Sequence, residues 1–259
     1  MTNPAPLLDL TGQHVLVVGG GRGIGAAVAE TAARGGAAVS LTYRDDAASA
    51  DRTVAAITAA GGAATAHRVD VTEESAVATM IDAAVADHGQ LTGLVVSAGI
   101  FADGWRPIEE TSLEYWDHVM TTNLTGTFLS VRAAVPQLRA AGSSSIVIIT
   151  STAGQRGAGG NAAYATSKGA QITLMRSLAQ EFAPDGIRVN CIAPAWTDTE
   201  TAAPLIDGFG REAIVANSPL GRVGLPADIA GGVCYLLSDL ASYVTGSTLT
   251  VDGGQDMRG

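Results

Sequence analysis

Tyr164 and Lys168 stand four positions apart in YATSKG (164–169), among small residues at what reads as the beginning of a helix. On a helix, positions i and i+4 share a face, so the ammonium falls beside the phenol. A phenol with a pKa of about 10 is a poor proton donor or acceptor at neutral pH, and a neighbouring positive charge is expected to stabilise the phenolate and lower that value. Tuned in this way, Tyr164 could protonate a carbonyl oxygen as hydride reaches its carbon, or take the proton of an alcohol in reverse. Such a step also needs a neutral donor on the same oxygen. Ser151 ends the run SIVIITS, thirteen residues before Tyr164, and so stands at the C-terminal edge of a strand, where open parallel sheets hold their ligands. A Y-x-x-x-K pair alone carries little, because most such pairs are a half-buried aromatic beside a solvated lysine.

The hydride needs a carrier, and a candidate seat for one lies near the N-terminus. GGGRGIG (19–25) follows the apolar run HVLVV and precedes the helical stretch AAVAETAA. Glycines at 19, 23 and 25 allow a tight turn and let the backbone approach a pyrophosphate, whose charge the amides of the following helix then hold. The spacing is G-x-x-x-G-x-G, and its place between strand and helix favours a dinucleotide over a plain turn. At the end of the next apolar run the chain reads SLTYRDD. Arg44 there and Arg22 inside the glycine turn could converge on a 2'-phosphate, which points to NADP(H) over NAD(H). Asp45 and Asp46 oppose that reading, since either could neutralise Arg44 or reach a ribose hydroxyl.

These residues need a frame. Short apolar runs recur at 14–18, 38–43, 67–71, 91–97, 145–150, 187–193 and 247–252, separated by Ala-rich stretches of helical periodicity. Nearly continuous apolar strands alternating with helices predict a parallel sheet covered on both faces, a doubly wound α/β fold of about seven strands in three αβα layers. No internal repeat or linker interrupts it, so residues 1–259 are expected to form a single domain. The stretch 195–223 breaks the alternation with Pro, Gly and mixed helical signals, and is expected to cover the substrate.

Composition narrows the partners. The 259 residues are 47% hydrophobic and 15% charged, and 25 acidic against 15 basic side chains leave a net charge of −10. No Lys/Arg-rich run is present, so nucleic acid and anionic membrane surfaces would meet mostly repulsion. No segment approaches the ~18 unbroken apolar residues of a membrane span, and the first residues lack the basic and apolar regions of a secretory signal, which predicts a soluble cytoplasmic protein. Cys191 and Cys234 lie in apolar runs and are expected to be buried free thiols. The four histidines, at 14, 67, 88 and 118, show no ligand spacing, so no metal is expected.

Taken together, these motifs closely resemble the short-chain dehydrogenase/reductase family, from about Leu10 to Gly254. GGGRGIG is similar to its nucleotide turn, RVDVT to its adenine-contacting pair (Asp70, Val71), NLTG to its active-site Asn segment (Asn123), and TSTAG followed by YATSK to its Ser, Tyr and Lys. APAWTDT resembles its segment beside the nicotinamide, while GRVGLPADIA and YVTGSTLTVDGG resemble its C-terminal signatures. The resemblance implies a Rossmann-type sheet with Tyr164 as general acid/base, Ser151 orienting the carbonyl, Lys168 lowering the Tyr164 pKa and holding the nicotinamide ribose, and Asn123 completing a proton relay through water. It implies cofactor contacts from Gly19, Arg22, Gly23, Ile24, Gly25, Arg44, Asp70, Val71, Ser97, Ala98, Gly99, Tyr164, Lys168, Pro194, Thr197 and Thr199. A homotetramer is implied as well, paired through the helices carrying NLTGTFLSVRAAV and YATSKGAQITLMRSLAQEF and through the C-terminal strand.

Three positions depart from the family pattern. Val18 stands for the usual Thr, VSAG (96–99) for Asn-Asn-Ala-Gly, and Ala195 for the Gly of the Pro-Gly segment, which predicts local repacking of the central strands. Family members that reduce 3-oxoacyl groups on a carrier protein usually carry basic residues where this chain has GSSS (142–145) and Asp185, so a free ketone or secondary alcohol ranks above a carrier-bound thioester. Phe101, Trp105, Ala153, Trp196 and Phe209 lie in segments expected to border the pocket, which favours an apolar, even aromatic, substrate.

Overall fold

The computed structural model describes residues 8–101 and 105–256. Seven strands form one parallel sheet in the order β3-β2-β1-β4-β5-β6-β7. They are β1 (His14–Val18), β2 (Ala38–Tyr43), β3 (Ala64–Arg68), β4 (Gly93–Val96), β5 (Ser144–Ile149), β6 (Ile187–Pro194) and β7 (Thr248–Val251). Ten α-helices accompany them among the described residues: α1 (Gly23–Arg34), α2 (Ala47–Ala59), α3 (Glu74–His88), α4 (Leu113–Met120), α5 (Gly126–Ala140), α6 (Thr152–Arg156), α7 (Ala162–Phe182), α8 (Ala203–Phe209), α9 (Arg211–Ala216) and α10 (Pro226–Leu237).

The unbroken apolar runs have a plain cause. Successive strand residues point to opposite faces, and each face carries its own core. Leu16 and Val18 of β1, with Ile146 and Ile148 of β5, pack with α3, α5 and α7. Val15, Val17, Val147 and Ile149 pack with α1, α2 and α10 on the other side. A central strand buried on both faces is mostly apolar, and its few polar residues, such as Ser40, Thr42 and Asn190, are buried with hydrogen-bond partners.

The edge departs from expectation. The third strand is expected at 67–71 but runs over Ala64–Arg68 and pairs only with β2, from Val39↔Ala64 to Tyr43↔Arg68. Because β3 is an edge strand with half-covered Ala, Thr and His, its sequence is not apolar, and the apolar Val69 and Val71 belong to the turn beyond it. Asp70 and Val71 are thereby placed at the strand's carboxyl end.

Chain order reverses between β1 and β4, each paired directly with the other. At that switch point the two chains diverge and leave the crevice in which open α/β sheets bind ligands. The stretch 195–223 is less irregular than its sequence: α8 and α9 enclose a small core of their own, Ile206, Ile214 and Val223, against which Trp196 packs. No helix among the described residues is long and apolar enough to cross a membrane.

Candidate active site

The glycine turn is held by main chain at both sides. Gly19 and Gly23 adopt positive φ, 83° and 58°, which side-chain-bearing residues rarely do. The Gly19 N–H donates to Thr42 Oγ1 at 3.0 Å and the Gly20 N–H to Thr42 O at 2.9 Å. A Cβ on Gly19 would lie 2.6 Å from Ala98 N, and one on Gly25 would lie 2.0 Å from Gly19 O. Val18, where the family has Thr, is fully buried, and its carbonyl accepts from both Ser97 N and Ala98 N at 2.8 Å, so backbone ties β1 to β4 at the departures at 18 and 96–99. The first turn of α1 has no acidic residue and its N-cap, Arg22, makes no side-chain cap. Its amides face the crevice unneutralised, which suits a pyrophosphate.

At the ends of β2 and β3 the charges are partly committed. Arg44 Nε donates to Asp45 Oδ2 at 2.6 Å in an exposed pair. Asp46 caps α2, accepting from Ser49 N at 3.0 Å and Ser49 Oγ at 2.5 Å, and these bonds hold its carboxyl below the usual range. Asp70 likewise accepts from Thr72 N (2.9 Å) and Thr72 Oγ1 (2.7 Å), and the backbone bond foremost keeps it ionised.

Ser151 is the N-cap of α6, its hydroxyl accepting from Ala153 N at 3.1 Å. Tyr164 and Lys168 project from the first turns of α7, both buried. The two helices touch through glycine: a Cβ on Gly154 would sit 2.6 Å from Lys168 C, and one on Gly169 would sit 3.1 Å from Gly154 O. This contact brings the hydroxyl on one helix to the phenol on the other. Lys168 Nζ donates to Ile149 O, at the end of β5, at 2.9 Å and lies 5.7 Å from the Tyr164 ring centre.

In the free protein burial governs both groups. Burial pushes the phenol up to about 12, with the Ser151 hydroxyl pulling it partly back, while burial draws the Lys168 ammonium down to about 8. Both groups are disfavoured in their charged form by desolvation. Tyr164 is a protonated phenol at neutral pH. Cys191, close to Lys168, is held as a thiol by the same burial, pushed up to about 12.

Beyond the phenol the wall is aromatic. Phe101 meets Tyr164 edge-on with ring centres 4.6 Å apart and Trp196 at 6.0 Å; Trp196 lies 5.5 Å from Phe209, which lies 4.8 Å from Trp105. These spacings fall in the range that aromatic pairs favour.

A cavity of about 540 Å³ runs past most of these groups. Of the residues singled out by sequence it is lined by Gly19, Arg22, Gly23, Ile24, Arg44, Asp70, Val71, Ser97, Ala98 and Gly99 at one end. Ser151, Ala153, Tyr164, Lys168, Pro194, Thr197, Thr199, Phe101, Trp105 and Trp196 line the rest. Three are not in its wall. Gly25 packs beneath the turn. Phe209 touches the cavity only through the two tryptophans. Asn123 sits fully buried in a π-helical turn (Thr121–Thr125) between α4 and α5, its Oδ1 accepting from Ile100 N at 2.8 Å and its Nδ2 donating to Ile100 O and Ser167 Oγ. Its carbonyl accepts from Thr127 Oγ1 and Gln171 Nε2. The side-chain bonds tie Asn123 to the segment after β4.

Sequence reasoning missed Thr42, Arg156 and Asn161, all of which line the cavity. Thr42 is unmarked in an apolar strand. Asn161 does carry a sign, an Asn three residues before Tyr164 at a helix start. Three histidines converge as well: His14, His67 and His88 gather around Ser40, Thr65 and Asp87. No group of three or more His, Cys, Asp or Glu among the described residues is arranged to hold a metal ion.

A doubly wound parallel sheet with a glycine turn at its switch point, a buried phenol and an ammonium in one crevice defines a Rossmann-like protein built around a dinucleotide-sized cleft. Residues 18–256 match the family model described as enoyl-(acyl carrier protein) reductase. The chain is 39% identical over 242 residues to cis-4-hydroxycyclohexanecarboxylate dehydrogenase of Sinomonas cyclohexanicum, covering 92% of this chain and 94% of that one. It is 38% identical over 245 residues to 2,5-dichloro-2,5-cyclohexadiene-1,4-diol dehydrogenase of Sphingobium indicum, covering 95% and 96%. The crystal structure of a dehydrogenase/reductase from Sinorhizobium meliloti 1021 superposes with a TM-score of 0.90 at 39% identity, over 96% of this chain and 97% of that one. The chain belongs to the short-chain dehydrogenase/reductase family, whose members are oxidoreductases that use a nicotinamide cofactor on alcohols and ketones.

Proposed function

We propose that the protein is an NADP(H)-dependent reductase of small-molecule ketones, or dehydrogenase of the matching secondary alcohols, using Ser151, Tyr164 and Lys168. One observation carries this reading: a buried phenol, protonated at neutral pH, shares a cavity wall with the Ser151 hydroxyl and opens toward a glycine turn in which Gly19, Gly20 and Gly25 leave no room for a Cβ. The dinucleotide, when bound, supplies or accepts the hydride. Ser151 donates to the substrate oxygen and holds it, Tyr164 delivers its proton to that oxygen, and the Lys168 ammonium stabilises the phenolate left behind. Asn123 acts as a positioning residue through Ile100 and Ser167.

Arg22 and Arg44 support a 2'-phosphate at the adenosine end. The Arg44–Asp45 pair is exposed, and such pairs contribute only about 0–1 kcal/mol, so a doubly charged phosphate competes well for the guanidinium. A free ketone is favoured over a carrier-bound thioester because Arg139, the cation beside the start of β5, is held by Asp185 at 2.7 Å. The ring-bearing substrates named for the Sinomonas and Sphingobium relatives fit the aromatic wall. Residues 195–223 serve as the substrate lid of a single domain, and copies pair into a cytoplasmic homotetramer across the groove between α5 and α7, where Phe128 is exposed beside Leu124 and Leu174.

The test is a set of initial rates with small aliphatic and aryl ketones and with acetoacetyl-coenzyme A, each with NADPH and NADH. Ketones with NADPH are expected to give the highest kcat/KM, and Arg44→Ala is expected to cost NADPH about tenfold more than NADH. Faster thioester turnover would reassign the substrate; equal losses for the two cofactors would remove the 2'-phosphate reading.

A further inference from the structure

Asn161 is the N-cap of α7, and Tyr164 is its N3 residue. An Asn at an N-cap ordinarily turns its side chain back to accept from the N2 or N3 amide. Asn161 does not: it makes no side-chain cap, and both Oδ1 and Nδ2 lack a hydrogen-bond partner although the residue is only 4% exposed. A buried amide with neither end satisfied is uncommon, since such groups cost stability. Asn161 also contributes to the wall of the cavity that holds Ser151 and Tyr164. N-cap and N3 side chains share one face of a helix start, as they do in a capping box. Asn161 and Tyr164 thus stand about one helical turn apart along α7, and both residues contribute to the cavity wall.

An aromatic ring packs on the residue beside Asn161. Trp105 is packed onto the neighbouring Gly160, whose Cβ would lie 2.1 Å from Trp105 Cδ1, and Arg106 N donates to Gly160 O at 2.9 Å. Trp105 continues through Phe209, Trp196 and Phe101 to Tyr164. The wall between the phenol and the amide thus offers flat apolar faces, with polar groups at its two ends.

We propose that Asn161 is a specificity-determining residue that binds a second oxygen of the substrate, a hydroxyl carried on a ring across from the reacting carbon. This rests on the ketone and alcohol chemistry proposed above. A hydroxyl suits the amide, which has both a donor and an acceptor unpaired, because it can serve both, whereas a carboxylate or ether only accepts. A ring suits the aromatic span, and oxygens carried on its 1 and 4 positions stand about 5–6 Å apart, close to one helical turn.

The experiment compares kcat/KM for 4-hydroxycyclohexanone, 4-methoxycyclohexanone and cyclohexanone, with whichever nicotinamide dinucleotide the wild-type protein uses faster. The hydroxy ketone is expected to exceed cyclohexanone by about tenfold or more, with the methoxy ketone between them. In Asn161→Ala that ratio is expected to collapse to about one; effects common to all three ketones cancel in it. Should the alanine variant not fold, Asn161→Ser keeps a favoured N-cap while removing the amide, and the same collapse is expected. Equal wild-type rates for the three ketones, a methoxy ketone as good as the hydroxy ketone, or a ratio that survives in the variants would overturn the assignment and leave ketone reduction standing. Turnover of none of the ketones would bring down the ketone reading and this inference together.

Discussion

The two ends of the cavity are built from different material. At the glycine turn the wall is backbone: Gly19 abuts Ala98, Gly25 abuts Gly19, and Thr42 fixes two consecutive amides. Beyond Tyr164 the wall is side chain, the rings of Phe101, Trp105 and Trp196 backed by Phe209, with Trp105 and Phe209 about half exposed. The helices beneath that second wall share a core of only three buried residues, Ile206, Ile214 and Val223. Backbone packed on backbone has no rotamer to change, so the first end can accept one shape of ligand. Rings resting on short helices can be exchanged singly, so the second end can change its ligand without disturbing the first.

The largest effect is expected where there is no slack. Gly25→Ala places a methyl at 2.0 Å from Gly19 O, and the turn must move. Dinucleotide affinity, measured by fluorescence titration, is expected to fall by about 100-fold or more; a variant that binds normally would show that the turn yields after all.

Next comes the junction of the two ends. Lys168 has a folded pKa of about 8 against 10.5 when free, because burial penalises its charge. Between those values the unfolded chain holds more protons than the folded one, so this residue's contribution to stability rises as pH climbs from 8 to 10.5 and is at its least favourable below 8. Lys168→Met is therefore expected to abolish turnover yet raise stability at pH 7 by on the order of 1–2 kcal/mol, the lost bond to Ile149 O taking back part of the gain. Chemical denaturation across pH 7 to 10 should show the advantage shrinking. A destabilised variant at pH 7 would mean that the ammonium is better solvated than its burial implies.

The smallest effect is expected at Phe209→Ala. The ring lies outside the cavity wall, and its loss should cost under about 1 kcal/mol of stability and raise KM no more than about fivefold, with kcat retained. A collapse in kcat would mean that the aromatic wall positions the reacting groups as firmly as the glycine turn does.

What the sequence disclosed follows the same division. β1, β2 and β5 are readable as apolar runs because both of their faces are buried, while β3 is not, because an edge strand with one partner needs no such run. The chain positions of Ser151, Tyr164 and Lys168 are legible from type and spacing. The direction of the Tyr164 shift is not, since it depends on how deeply Phe101 and the strand ends enclose the phenol. Asn123 shows the converse: its type is visible in NLTG, but only the π-helical turn reveals that every polar atom of its side chain is spent on Ile100 and Ser167. Asn161 is hidden for a third reason, because a helix-starting Asn is indistinguishable in sequence from one that has turned its amide elsewhere.

The contact between Gly154 and Gly169 has a wider reach than its size. Two main chains in van der Waals contact act as a gauge block, setting the distance between the Ser151 and Tyr164 helices without reference to any side chain in the pocket. A descendant gene could therefore replace Phe101, Trp105, Trp196 or Asn161 and explore new substrates while inheriting its proton chemistry already aligned.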